Sequence, residues 1–200
     1  MKSIKTILPR AAMLLLVFTV ICGVLYTALV TGLAQLLFPQ QANGSIITVD
    51  GKKYGSALLG QQYTDDAHFW GRIMQLDVST FQDENGTPLL YAAPSNLSPA
   101  SETYRALVAQ RIEKIRKANP AMQEDAIPVD LVTSSGSGLD PHISPAAAAY
   151  QVARVADATG KSEADIRTIL AKCTKDKFLG VFGQKTVNVL QANLMLDGIL

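Results

Sequence analysis

The chemically active side chains of this sequence concentrate in one stretch, SGSGLDPHIS, which runs from Ser135 to Ser144. Asp140 and His142 place a carboxylate and an imidazole two residues apart, and such a pair can activate a nucleophile in hydrolases. Catalysis would also need the nucleophile itself, or a metal, and a third group that orients the imidazole. The only other histidine is His68, and no serine stands in the Gly-x-Ser-x-Gly turn of a nucleophile elbow.

The backbone chemistry of the same stretch predicts a rigid turn that leads into a helix. Its glycines permit backbone angles that other residues resist, while Pro141 and Pro145 restrict the chain on either side of His142. Ser144 can cap a helix whose first residue is Pro145, where the missing N–H costs nothing. We therefore predict a structural or partner-contacting loop without a catalytic role. Its residues are Ser135, Gly136, Ser137, Gly138, Asp140 and His142.

An uncharged segment near the N-terminus predicts where the chain is located. No charged residue occurs from Ala11 to Phe38, a run longer than the ~20 residues that a helix needs to cross a membrane. Pro9 and Pro39 are expected at the ends of this helix and not in its interior. Because a cleaved signal peptide has an apolar core of only ~7–15 residues, the run favours an uncleaved anchor over a removed signal.

The charges beside the apolar segment predict its orientation. Lys2, Lys5 and Arg10 precede it without an acidic residue, and the first charge after it is Asp50. By the positive-inside rule, we expect a single-pass protein of the inner (plasma) membrane with its main domain outside the cytoplasm. The predicted parts are a cytoplasmic N-terminus at 1–10, a transmembrane helix at 11–38 and an extracytoplasmic domain at 39–200.

Composition and cysteine usage narrow the classes of partner. The net charge is +1, and the chain after the basic N-terminus is slightly acidic, so no nucleic-acid partner is expected. Cys22 lies in the apolar segment and Cys173 lies far away in the exported part, so neither a disulfide nor a zinc site is predicted. Cys173 is expected to be a free thiol at which the exported domain can be labelled.

The exported part has the patterns of an α+β domain with a small sheet and several helices. The segment SIITVDGKKYG predicts a hairpin around its Asp-Gly turn. The spacing of Gly55 and Gly60 resembles a phosphate-binding loop, but Gln61–Gln62 replace its lysine and hydroxyl residue, which favours a tight turn instead. Phe69–Trp70 are expected in the core or at an interface.

Caps and apolar spacing predict the helices of this domain. Ser98–Pro99 suits the entry to a helix that Asn119–Pro120 ends, and Ser162 suits the cap of a later one. The segment IPVDLVTSS predicts a short strand that leads into the polar loop. A last helix is expected near TVNVLQANLMLD, with Val187 and Leu190 on its apolar face.

Several of these segments together resemble a known family, the C subunit of the Kdp potassium-transporting ATPase. The segments are GSALLGQQYTDDAHFWGR, SNLSP, IPVDLVTSSGSGLDPHISPAAA, YQVARVA and VNVLQANLMLD. They follow a single N-terminal anchor, and the resemblance covers essentially the whole chain. The sequence departs from the family pattern at Ile73–Met74, where Pro-Ser is usual, and at Ala93–Pro94, where Gly-Gly is usual, which puts the function of those local loops in doubt.

The resemblance implies a non-catalytic subunit of a high-affinity potassium importer. In that family an A subunit selects potassium, a P-type B subunit hydrolyses ATP and a small F subunit accompanies them. The C subunit is described as a catalytic chaperone that raises the ATP affinity of the B subunit. The implied partners are therefore the A, B and F subunits and the membrane, with potassium as the transported ion, ATP associated through the B subunit and no cofactor assigned to this chain.

The predicted orientation constrains how such a chaperone would act. ATP is cytoplasmic whereas the main domain is expected outside, so the effect would pass through the assembled membrane helices as a conformational bias. A cap over the ion entrance of the A subunit is a second role that fits this orientation. Two other classes stay open, namely an extracytoplasmic hydrolase that uses Asp140 and His142, and an independent membrane-anchored binding or sensor module.

Overall fold

The N-terminal part of the chain forms a long apolar helix. The computed structural model describes residues 2–74, 76–92 and 95–200. The chain divides into two compact units, and the boundary between them in the sequence lies between Ile46 and Ile47. The helix consists of α1 (Lys2–Phe18), a π-helical stretch (Thr19–Tyr26) and α2 (Thr27–Leu37), and a short α3 (Pro39–Ala42) follows it. Over Ile4–Leu37 it is long and apolar enough to cross a membrane.

One predicted limit of this helix is wrong. Pro9 lies inside α1 and not at its end, because the helix already begins at Lys2. There the proline removes the N–H that would reach the carbonyl of Lys5, a loss that the surrounding turns tolerate. At the other end Phe38 leaves the helical conformation and Pro39 occupies the first position of α3, as expected for a proline.

The strands form separate small sheets, so the predicted α+β class is confirmed while the expected single sheet is replaced by several. Two antiparallel hairpins are β1 (Ile46–Val49) with β2 (Lys52–Ser56), and β3 (Leu76–Gln82) with β4 (Pro88–Ala92). In the first hairpin Asp50 and Gly51 both have positive φ angles, as a two-residue type I′ turn requires. The third sheet has β7 (Thr186–Asn188) between β5 (His142–Ile143) and β6 (Thr174–Lys175), all antiparallel.

The helices of the larger unit follow the predicted caps with one exception. They are α4 (Glu102–Ala118), α5 (Pro145–Tyr150), α6 (Val152–Thr159), α7 (Glu163–Lys172) and α8 (Val189–Leu196). Ser144 and Ser162 accept backbone N–H groups at the starts of α5 and α7, as predicted. The cap of α4 is Ser101 and not Ser98, because the backbone first makes a turn in which Ser101 N–H donates to the carbonyl of Ser98.

Two further predictions about elements are wrong. The segment IPVDLVTSS contains a 3₁₀ turn (Val129–Leu131) and not a strand, since Asp130 turns inward, where its side chain binds Ser144. Val187 belongs to strand β7 and not to the last helix, although it is buried as expected. An alternation of polar and apolar residues over only three positions is too short to separate strand from helix in the sequence.

The core of the larger unit centres on a non-helical segment between residues 65 and 72. Phe69 and Trp70 are buried, which confirms their predicted place in the core. Asn193 in α8 accepts the N–H of Phe69 at 2.8 Å and donates to its carbonyl at 3.0 Å. Gln151, between α5 and α6, does the same for Trp70 at 2.8 and 3.0 Å. Two fully buried amide side chains thus act as the hydrogen-bonding partners that a neighbouring strand would otherwise provide.

Arg154 completes this support from helix α6. Its guanidinium donates to the carbonyls of Asp65, Asp66 and His68 at 3.2, 2.7 and 3.0 Å, and it lies 4.5 Å from the centre of the Trp70 ring. Burial lowers the pKa of Arg154 to about 10, which still leaves the side chain charged at neutral pH. The segment is therefore held by side chains that come from distant parts of the sequence.

Candidate functional site

The polar loop predicted from the sequence is a chain of short-range turns. The Asp140 carboxylate accepts the N–H of His142 at 3.0 Å, and the Ser137 hydroxyl accepts the N–H of Leu139 at 3.1 Å. Ser135 accepts the N–H of Asp140 at 3.3 Å, and Gly138 has a φ of 74°. Such side-chain caps on nearby backbone groups are what serine and aspartate provide in turns.

A buried carboxylate fixes the end of the loop. Asp130 accepts the N–H of Ser144 at 2.6 Å and the Ser144 hydroxyl at 3.2 Å, while that hydroxyl accepts the N–H of Ala147 at 3.0 Å. Ser144 therefore links the 3₁₀ turn to the start of α5. The sequence contains no spacing signal for this contact, because the two residues lie 14 positions apart in segments without a shared period.

Gly60 fixes the other side of the loop by close backbone contact. Its N–H donates to the carbonyl of Leu139 at 2.7 Å, and a Cβ at this position would lie only 2.9 Å from the carbonyl oxygen of Asp140. The Gly55–Gly60 spacing thus belongs to a turn that packs against the polar loop. Residues 61–64 form no helix, whereas a phosphate-binding loop needs one directly after its glycines.

Asp140 lies between an imidazole and a guanidinium. Its carboxylate is 3.5 Å from Nδ1 of His142 and 3.9 Å from Nη1 of Arg72. All three side chains border a surface groove that also includes Lys185. The arrangement presents mixed charges at a partly exposed surface of the larger unit.

The hydroxyls of the loop are engaged in its turns. Ser135, Ser137 and Ser144 each accept a backbone N–H, and among the described contacts the His142 ring meets the carboxylate of Asp140 rather than a hydroxyl. Among the residues whose side chains the structure describes, no group of three or more His, Cys, Asp or Glu residues could hold a metal ion. The interpretation of the loop as structural or partner-contacting, without a catalytic role, stays a prediction.

An exposed apolar turn was missed from the sequence. In the segment FLGVF, Phe178 and Phe182 exchange backbone hydrogen bonds at 2.8 and 2.9 Å, and Leu179 and Gly180 between them have positive φ angles. The large apolar side chains of this turn, which we call the apolar hairpin (178–182), are exposed by 62% to 76%. The signal was present as large apolar residues around a glycine, but the sequence does not show that they fail to reach the core.

Cys173 does not have the accessibility that was expected. It is only 5% exposed, its thiol lies 3.6 Å from the sulfur of Met195, and burial raises its pKa to about 11. A thiol reagent reacts with the thiolate, so this position is a poor target for labelling the folded domain.

The structure describes the first of the two departures from the family pattern but not the second. Ile73 and Met74 line a cavity beside helix α4, and Ile73 pairs with Ser134 in an isolated parallel bridge. Ala93–Pro94 lie outside the described residues.

A helix long and apolar enough to span a membrane, followed by an α+β unit with a braced polar loop, is typical of the class of single-span, membrane-anchored proteins. Comparison with known proteins specifies the class further. The family model of the K+-transporting ATPase c chain, KdpC, matches residues 8–198.

Several curated relatives match along the whole chain. The potassium-transporting ATPase KdpC subunit of Clostridium botulinum, Alaska strain, is 58% identical over 200 residues, which is 100% of both chains. That of Clostridium perfringens is 59% identical over 97% of this chain and 98% of its own. That of Polaromonas naphthalenivorans is 46% identical over 98% of this chain and 96% of its own.

The chain belongs to the KdpC family, the C subunits of potassium-transporting ATPases. The resemblance seen in the sequence is therefore confirmed, and with it the role of a subunit that is non-catalytic by family. The departures at Ile73–Met74 and Ala93–Pro94 do not alter this membership.

Proposed function

We propose that this chain assembles with the A, B and F subunits of a Kdp complex, stabilises that complex and raises the ATP affinity of its B subunit. The observation that carries the proposal is that similarity to proteins named KdpC subunits extends over both the membrane-length helix and the larger unit. In this proposal the B subunit hydrolyses ATP, the A subunit selects potassium and this chain contributes no catalytic group. ATP belongs to the complex through the B subunit.

The proposed orientation has a cytoplasmic N-terminus and an extracytoplasmic larger unit. Lys2, Lys5 and Arg10 precede the uncharged run, and the first charge after the run is Asp50. This asymmetry of basic residues is the feature that sets orientation in single-span proteins. The same orientation would allow the larger unit to cover the ion entrance of the A subunit.

The proposed effect on ATP binding requires only a small coupling energy. A tenfold gain in affinity corresponds to about 1.4 kcal/mol, which lies within the usual range of coupling between distant sites. Packing of the apolar helix against membrane helices of the partners can supply such a bias if it differs between two conformations of the B subunit. Direct contact between this chain and the nucleotide is not needed.

Two surface features support a role in assembly. The apolar hairpin (178–182) keeps large apolar side chains in water, and Leu58 and Leu59 are exposed beside the polar loop. Clustered exposed apolar side chains are typical of protein contact sites. We assign both features to contacts with the other subunits of the complex.

The function is tested by removing the chain from an otherwise intact complex. We expect complexes purified without it to need at least tenfold more ATP for half-maximal potassium-stimulated hydrolysis, with a smaller change in the maximal rate. Adding the full chain back in detergent should restore the ATP dependence. If complexes that lack this chain but keep the A, B and F subunits show an unchanged ATP dependence, the chaperone role is overturned. The role in assembly is measured separately, by subunit stoichiometry.

The orientation is tested separately with introduced cysteines, since Cys173 is buried. We expect a membrane-impermeant thiol reagent to modify Glu124→Cys in intact cells, because residue 124 is exposed in the larger unit. Lys5→Cys, on the opposite side of the apolar run, is the matched control and should react only after lysis. The reverse pattern would show that the orientation is inverted.

A further inference from the structure

A small cavity lies where the segment 70–74 meets helix α4. Its volume is about 90 Å³, enough for several water molecules, since one needs roughly 10–15 Å³. Among its lining residues, Trp70, Ile115 and Leu131 contribute apolar walls and Arg72, Arg111 and Lys114 contribute cationic groups. Gln61, Gln62 and Tyr63 add neutral polar side chains. Among the described residues that line it there is no carboxylate. We call this space the cationic cavity.

The cations are held in place by contacts with the protein. Arg72 donates through Nη2 to the carbonyl of Ser134 at 3.0 Å, and Arg111 donates through Nη1 to the carbonyl of Val132 at 3.1 Å. Lys114 lies with Nζ 4.9 Å from the centre of the Trp70 ring. Since these side chains are already ordered, the binding of an anion would cost little conformational entropy.

The donors of the cavity are not exhausted by these contacts. A guanidinium carries five N–H groups, and Nε of Arg72 is buried without a hydrogen-bond partner among the described residues. Asp140 approaches Nη1 of Arg72 only to 3.9 Å, and one of its oxygens accepts the N–H of His142. Burial lowers the pKa of Arg111, as expected for a cation that lacks a close counter-charge. Among the described contacts, the carboxylate of Asp140 is thus the counter-charge for the three cations of the cavity.

We propose that the cationic cavity binds a carboxylate carried on a short aliphatic stem. The guanidinium and ammonium groups match the carboxylate, and the walls formed by Trp70, Ile115 and Leu131 match the stem. The volume admits a group of this size. This chemistry is shared by an aspartate or glutamate side chain of another subunit and by a free small carboxylate. The inference is independent of any effect of the chain on ATP affinity.

Trp70 provides a direct test because it is the single tryptophan of the chain and lines the cavity. The full chain in detergent is titrated with sodium propionate at constant ionic strength set by sodium chloride, and tryptophan fluorescence is recorded. We expect a saturable change with propionate beyond that with chloride. Arg111→Gln should weaken the apparent affinity at least tenfold. Arg105→Gln is the matched control, because Arg105 lies on the same helix but is exposed and paired with Glu102.

A second measurement separates the two sources of the carboxylate. If a partner side chain occupies the cavity, Arg111→Gln should lower the fraction of this chain retained in the complex during a high-salt wash, while Arg105→Gln should not. If a free carboxylate occupies it, propionate should bind the isolated chain and retention should be equal for both variants. Far-UV circular dichroism and thermal melting identify any variant that fails to fold, and Lys114→Gln, at an exposed position, then replaces it. No saturable response to propionate, together with equal retention, would overturn the proposal.

Discussion

The segment 65–72 is irregular, and the polar loop 135–144 is irregular up to the two-residue strand β5, but the two are held in different ways. The segment depends on distant side chains, since Asn193 and Gln151 bind its backbone from 124 and 81 positions away. The loop depends on its own side chains, which bind backbone groups two to five positions away. Its long-range supports are the carboxylate of Asp130, the backbone contact at Gly60 and the pairing of β5 with β7, beside which Val189 N–H donates to the carbonyl of Pro141.

This difference determines what each region can tolerate. Removing one distant amide leaves a backbone N–H and a carbonyl buried without partners, so the cost falls on the whole core. Removing one turn contact in a partly exposed loop lets water replace it, so the cost stays local. Variants of the two regions should therefore differ in both the size and the spatial extent of their effects.

The largest effect is expected for Asn193→Ala. The change removes both hydrogen bonds to the backbone of Phe69, whose side chain is fully buried. Each unpaired buried group costs about 1–3 kcal/mol, so we expect the free energy of unfolding to fall by about 3 kcal/mol. The measurement is denaturant unfolding of the full chain in detergent, monitored by circular dichroism.

Gln191→Ala is the matched control on the same helix. No side-chain hydrogen bond is described for Gln191, whose backbone N–H binds the capping Asn188. We expect this change to alter the free energy of unfolding by less than about 0.5 kcal/mol. Equal effects at positions 191 and 193 would show that the amide support of the segment is not important for stability.

A smaller and more local effect is expected for Gly60→Ala. The new Cβ would lie 2.9 Å from the carbonyl oxygen of Asp140 and 3.2 Å from that of Leu139, and neither backbone atom can rotate away. We expect a loss of about 1–2 kcal/mol in the free energy of unfolding, together with displacement of the polar loop. Backbone amide shifts of residues 137–142, measured by NMR in detergent, report the displacement.

Gly160→Ala controls for the loss of a glycine alone. Gly160 ends α6 with a φ of 69°, and a Cβ there would meet nothing within 4 Å. Alanine in this conformation costs about 1 kcal/mol, so stability should fall without movement of the polar loop. If both variants shift the loop signals alike, the close approach at Gly60 does not position the loop.

The same contrast explains what the sequence could and could not predict. The cap at Ser144 and the positive φ angle at Gly138 follow from residue types a few positions apart, and the structure bears out these short-range features, whereas Gly136 does not have a positive φ. The supports from Asn193, Gln151 and Arg154 have no local signal, because a polar residue in a helix resembles a solvent-facing one until its partner is known. The family resemblance rested on whole segments of the sequence, so it could be recognised even though single tertiary contacts could not be predicted.

Tertiary contacts also overruled local preference where the predictions were wrong. The segment IPVDLVTSS has the β-branched residues of a strand, yet the need to bring Asp130 to Ser144 fixes it in a 3₁₀ turn. The apolar hairpin (178–182) has residues suited to a core and lies in solvent. A strand propensity of a few tenths of a kcal/mol per residue cannot outweigh a buried charge-assisted hydrogen bond.

The smallest effect concerns the pH dependence of the segment 65–72. His68 binds Asp65 through Nδ1 at 2.7 Å and Asp197 through Nε2 at 3.0 Å. A neutral imidazole can donate from only one nitrogen, so the two carboxylates together favour the charged ring. Burial alone would lower the pKa of His68, but the hydrogen bonds to Asp65 and Asp197 outweigh it and raise the pKa above its usual value.

The sign of the resulting pH dependence follows from these shifts. Because the pKa of His68 is higher in the folded chain, its contribution is complete below the unfolded pKa of about 6.5 and is lost as pH rises through the folded pKa. Burial alone would raise the pKa of Asp65, but the hydrogen bond from His68 outweighs it and lowers that pKa, so the carboxylate's contribution is lost only at more acid pH. We expect the difference in the free energy of unfolding between the native chain and His68→Gln to shrink as pH rises above about 6.5. A His68→Gln chain with an unchanged slope would show that this ion cluster does not couple protonation to folding.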